Sequence, residues 1–232
     1  MAPGFQYTLV FVNHSNRFAD VCVFQQDPGL NVRNLETVAW LVKPAAPTTV
    51  VTLKWTAELD FVWSETGKLA PGVLAGSAQV WPADLSTKNQ LTFTITGGAY
   101  TFENQMQGRA PGLTILQSST IPALQASVGI GAAGKATFVV QAQPNQALNF
   151  TPSTTPGYWI CFGSYLSGQV LDVAAIADKT QVVFPVNVYS MTATLNADNT
   201  WTVVPTFAAN AAFLAARQKD PKALWGKVAE PS

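Results

Sequence analysis

Charge is what this chain of 232 residues has least of. Only 11% of its side chains are Asp, Glu, Lys or Arg, less than half the roughly 25% of an ordinary soluble domain. Its 13 basic and 13 acidic residues cancel, and no Lys/Arg cluster stands ready to neutralise a phosphate backbone, which disfavours nucleic acid as a partner. A surface made instead of Ser, Thr, Asn, Gln and Gly has little self-repulsion, and that favours association. Histidine is nearly absent as well. With His14 alone, no two-histidine metal site can form and any histidine base must be this residue; it sits in Asn13-His14-Ser15-Asn16, a turn-forming string. Cys22 and Cys161 are the only thiols, too few for a disulfide framework. No run of 18 apolar residues occurs, so a membrane span is excluded. Met1 to Val12 lacks the basic segment and small-residue cleavage pattern of a secretory signal. Together these absences predict a cytoplasmic protein with two unpaired, buried thiols.

What the chain has is alternation. From Tyr7 to Val204, β-branched and aromatic residues recur with period two. In Thr137–Gln143, for instance, Phe138, Val140 and Ala142 share one face while Thr137, Val139, Gln141 and Gln143 share the other, a pattern of one buried and one wetter face. Fifteen prolines and sixteen glycines punctuate these runs, as suits many short strands joined by turns.

The chain also repeats itself. Thr92-Phe-Thr-Ile-Thr, turning at Gly97-Gly98 into Ala99–Phe102, parallels Thr192-Ala-Thr-Leu-Asn, turning through Ala197-Asp198-Asn199 into Thr200–Val203. Upstream, Leu53-Lys-Trp-Thr, Phe61–Gly67 and Leu69–Leu74 are echoed in the same order by Leu148-Asn-Phe-Thr, Tyr158–Gly163 and Leu166–Leu171. The expectation is an all-β fold: an antiparallel β-sandwich of two related halves with a pseudo-twofold repeat, plus a short C-terminal helical tail. Residues 1–205 form one β domain, with halves at about 5–102 and 126–204, a connection at 103–125 and an insertion at 31–49 in the first half. The tail, 206–232, begins with an alanine-rich stretch from Phe207 to Arg217 that favours helix. A second short helix is expected from Asp220-Pro221, with Asp as N-cap and Pro at the first helical position.

Candidate chemistry is thin. Gly129-Ile-Gly-Ala-Ala-Gly134 matches the spacing of a dinucleotide-binding turn, but it runs into the strand-like Lys135–Val140 and no acid follows about 20 residues on. A glycine-rich hairpin is the better reading, and no cofactor is implied. Glu58 and Asp60, set among Trp55, Phe61 and Trp63, supply the paired carboxylates a glycosidase needs, yet the corresponding second-half stretch, Thr154 to Phe162, has no acid. No Gly-x-Ser-x-Gly elbow marks a serine nucleophile. Seven tryptophans in so uncharged a chain are more suggestive, because exposed indoles stack on sugars or anchor interfaces. Trp40, Trp81 and Trp159 are the candidates, since Trp55 and Trp201 alternate with core residues. In the tail, Phe207, Phe213, Leu214, Leu224 and Trp225 are apolar residues that the repeated β framework does not require, hence candidate contacts to another subunit.

Several strings also resemble one family. Asp20–Pro28, Phe61–Gly67 with Pro71-Gly-Val73, Gln79–Asp84, Ala126–Gly131, Phe138–Pro144 and Asn187–Ala193 are similar to the RhiA-type proteins, named for expression by rhizobia in the rhizosphere. The likeness runs from about Phe5 to Pro205 and leaves out the alanine-rich tail. It implies no catalytic residue, cofactor or substrate, so no site is carried over. The functional expectation is a noncatalytic binding or self-assembling β protein whose partner is itself. A lectin-like carbohydrate-binding module using exposed tryptophan is the alternative, and a glycosidase using Glu58 and Asp60 comes third.

Overall fold

A computed structural model describes residues 5–27, 29–153 and 157–219. In chain order the strands fall into four groups. The first holds β1 (Gln6–Asn13), β2 (Ala19–Gln26), the two-residue β3 (Glu36–Thr37), β4 (Leu41–Ala45) and β5 (Val50–Thr56). The second holds β6 (Leu59–Ser64), β7 (Gln79–Ala83), β8 (Gln90–Thr96) and β9 (Ala99–Met106). The third holds β10 (Leu113–Gln117), β11 (Ser127–Ala132), β12 (Lys135–Gln141) and β13 (Ala147–Phe150). The fourth holds β14 (Gly157–Gly163), β15 (Lys179–Val182), β16 (Ser190–Leu195) and β17 (Trp201–Pro205), followed by the helix α1 (Thr206–Lys219).

These groups combine crosswise. One sandwich takes its strands from the first and fourth groups: a sheet in the order β17-β16-β1-β5 lies over one in the order β15-β14-β2-β4. The other takes the second and third groups, as β9-β8-β10-β13 over β7-β6-β11-β12-β3. The two orders match strand for strand, with only β3 left over. Both contain one parallel pair, β1 with β16 and β8 with β10, among antiparallel neighbours. The halves are therefore related as expected but interlocked, each giving four strands to either sandwich. The parallel pairs follow from this, since strands from different halves need no hairpin between them.

Packing follows the period-two pattern. In the first sandwich Leu9, Phe11, Leu53 and Trp55 meet Val21, Val23, Tyr158 and Ile160; in the second Leu91, Phe93, Ile115 and Phe150 meet Phe61, Trp63, Val128 and Phe138. The stretch 103–125, expected as a plain connection, contains the end of β9 and all of β10, and the supposed insertion 31–49 contains β4, which matches β12 in the strand order. The outer face of β12 is not wet: Ala136, Thr137 and Val139 are buried, because the repeated loops after β6 and β14 fill the space between the sandwiches. There Gly72 N–H donates to Val170 O at 2.9 Å and Val170 N–H to Val73 O at 2.8 Å, over a small core of Val38, Val62, Val139 and Val170. Among the described residues no helix is long and apolar enough to cross a membrane.

Candidate binding site

Side chains alternate across β14, so Tyr158 and Ile160 point into the first sandwich and Trp159 points out of it. Trp159 packs beside Phe24, Cys161 and Leu171 and is half-buried. Its cross-strand neighbours are Phe24 on β2 and Gln181 on β15, and Gly157 pairs with Gln26 at the strand mouth. Gln26, Gly157, Trp159 and Gln181 form one wall of a crevice of about 640 Å³ between the sandwiches; Leu35, Thr37 of β3 and Phe138 of β12 belong to the facing wall. Asp27 fixes the rim. Its Oδ1 accepts Gly29 N–H at 3.0 Å and Ser153 Oγ–H at 2.6 Å, and its Oδ2 accepts Ser153 N–H at 2.7 Å, which ties the chain after β2 to the chain after β13. Among the described residues no Lys, Arg or His lines the crevice. A Cβ at position 157 would stand 3.0 Å from Gln26 O, 3.5 Å from Trp159 Nε1 and 3.6 Å from Gln181 Nε2. Glycine thus lets the chain pass close to the backbone carbonyl of Gln26, with the Trp159 and Gln181 N–H groups beside it.

The other tryptophans do not join it. Trp40 is fully buried, stacks against Tyr158 at 6.2 Å and meets Trp55 edge-on at 5.5 Å. Its Nε1–H donates to Ala132 O at 2.9 Å, a bond from one sandwich to the other. Its expected exposure is thus corrected: it sits where the interlocked halves meet, a burial that strand alternation alone does not reveal. Trp81 lies half-buried on the edge strand β7, edge-on to Phe102 at 5.9 Å.

The carboxylate pair is divided in its work. Asp60, buried on β6, accepts Gly134 N–H at 2.7 Å and so holds the turn between β11 and β12. Burial pushes its carboxyl above the usual range, partly countered by the Gly134 hydrogen bond and aided by Glu58. Glu58 is exposed and accepts Thr56 Oγ1–H at 3.1 Å. The Gly129–Gly134 segment is that β11–β12 hairpin, with no helix to receive a pyrophosphate. Cys22 and Cys161 are free, buried and directly opposite each other on β2 and β14. The Cys161 thiol is held down by the Cys22 S–H, with smaller contributions from Tyr165 and Lys179, while Cys22 is pushed up by the same contact and by burial.

Where β1 and β16 begin, the first sandwich carries an apolar surface. Phe5 is 64% exposed, Val186 90% and Phe207 69%. The Phe5 ring stacks on Tyr189 at 4.6 Å, and Ser190 Oγ hydrogen-bonds Thr206 Oγ1 at 2.8 Å, so these residues gather around the start of β16. Helix α1 leaves from here with Phe213 and Leu214 each more than half exposed. Leu224, Trp225 and the expected helix at Asp220-Pro221 lie outside the described residues.

Gln26, Gln181 and Ser153 carried no signal in the sequence, because nothing local tells that positions 26, 153 and 181 surround 159. The alternation in Gly157–Gly163 could have set Trp159 on the face opposite Tyr158.

Fold and site together define a two-sandwich β protein with a crevice at the junction that polar side chains and one indole line. The chain belongs to the RhiA family, whose model matches residues 4–206. It is 35% identical over 208 residues to Protein RhiA of Rhizobium leguminosarum bv. viciae, covering 88% of this chain and 89% of that one. No solved structure matches it.

Proposed function

We propose that this chain is a noncatalytic protein that self-associates through the apolar end of its first sandwich. The observation that carries this reading is the gathering of Phe5, Val186, Phe207, Phe213 and Leu214, all more than half exposed, around one strand end and the helix that leaves it. Fully burying a side chain of this size is worth about 1.5–3 kcal/mol before ordering costs, and with zero net charge little repulsion opposes the contact. Sedimentation velocity tests it. Full-length protein at tens of micromolar is expected to form an oligomer that dissociates when the chain ends at Pro205. A monomeric full-length chain contradicts the reading, and an oligomer indifferent to the truncation moves the contact elsewhere.

A second reading, the carbohydrate-binding module, is favoured by Trp159, the one of the three candidate tryptophans found on the wall of the junction crevice. A half-buried indole beside amide and hydroxyl side chains offers what a sugar presents in reverse, a C–H face and a rim of hydroxyls.

A further inference from the structure

We propose that the crevice between the sandwiches is a site for a neutral saccharide, with Gly157 as the residue that keeps it open and Gln26 and Gln181 as the groups that read hydroxyls. This rests on the carbohydrate reading above and gives it a place and a charge preference. The crevice volume of about 640 Å³ is within the range of small-molecule sites, which favour domain junctions and combine apolar walls with a few fixed polar groups. Here the apolar part is the Trp159 indole together with Leu35 on the facing wall, and the polar part is set by strand pairing. Gln181 is the cross-strand partner of Trp159, and Gln26 is that of Gly157. Two donors, Trp159 Nε1 and Gln181 Nε2, and one acceptor, the backbone oxygen of Gln26, lie around Gly157. Donor and acceptor together at one spot suit a hydroxyl, which both gives and takes a hydrogen bond.

The lining argues against an acidic ligand. Among the described residues it contains no cation and one carboxylate, Asp27, whose two oxygens are already engaged by Ser153 and Gly29. A uronate or sialylated glycan brought here leaves its charge without a partner, and an unpaired charge taken from water is costly. Interlocking makes the site, since Gly157, Trp159 and Gln181 come from the second half and Gln26 from the first.

The test is a printed array of neutral and acidic oligosaccharides probed with the full chain, followed by titration of maltotriose, cellotriose, chitotriose and trigalacturonate by intrinsic fluorescence and calorimetry. Wild type is expected to bind neutral glycans and to ignore trigalacturonate. Gln181→Ala removes one donor from an exposed side chain and is expected to weaken binding about three- to tenfold; Gly157→Val sets a branched side chain among Gln26 O, Trp159 Nε1 and Gln181 Nε2 and is expected to weaken it at least tenfold. Because Gly157→Val sits on a strand, its folding is checked by circular dichroism, and Gln181→Ala stands as the independent variant. Neutral-glycan binding unchanged in both variants overturns the crevice while the carbohydrate reading survives. Binding confined to acidic glycans overturns the charge preference, and no glycan bound at all overturns both site and reading.

Discussion

Asp60 shows how a residue that looks chemical in sequence can be structural. A carboxylate beside Glu58 and several aromatics has the makings of a glycosidase pair, and a strand pattern does not show that its partner is a backbone N–H 74 residues away. Burial raises its carboxyl above the ordinary 3.8. A folded value above the unfolded one means that this group favours folding most below pH ~4 and loses that contribution as pH rises through the folded value. Asp60→Asn keeps a carbonyl oxygen for Gly134 and removes the buried charge. The gap in Tm between variant and wild type should therefore widen in the variant's favour between pH 4 and 7. A wild type that gains on the variant over that range indicates that the ionised form is the one held. Trp40 makes the same point for tryptophan, since its neighbours in sequence gave no hint of the Ala132 carbonyl that it reaches across the junction.

Elements were legible wherever local pattern and local chemistry agreed. The β11–β12 hairpin could be read because the glycine string leads into β-branched residues, and the structure adds why the glycines are there. A Cβ at Gly129 would stand 2.0 Å from Phe138 O and one at Gly131 2.1 Å from Lys135 O, so both are needed for strand approach. Gly134 has a φ of +76° and open space around it, a requirement of the turn alone. Gly131→Ala should then cost about 3 kcal/mol or more, or yield no soluble protein, while Gly134→Asn, which tolerates a left-handed backbone, should cost less than ~1 kcal/mol. Urea unfolding of the pair checks this, and equal losses contradict it. Strand β10 is illegible in sequence because Leu113-Thr-Ile-Leu-Gln is short and lacks clean alternation, being buried along most of its length by neighbours from both halves. Helix α1 was legible from alanine content alone.

For the whole molecule, the sequence carried the repeat but not its consequence. Matching hairpins at 92–102 and 192–203 announce two related halves, and nothing in them says whether each half closes on itself or exchanges strands with the other. The exchange takes place after β5, where only Ala57 and Glu58 separate β5 in the first sandwich from β6 in the second. The crevice was invisible for the same reason, since its walls come from segments brought together by the exchange. Fragment complementation tests this arrangement most directly. Residues 1–108 and 109–232 are expressed separately, and each is examined by sedimentation and by two-dimensional amide NMR, alone and after mixing. Interlocked halves require that neither fragment alone gives a folded monomer, and that the mixture forms a one-to-one complex with the amide spectrum of the intact chain. A well-dispersed, monomeric spectrum from either fragment alone would contradict it.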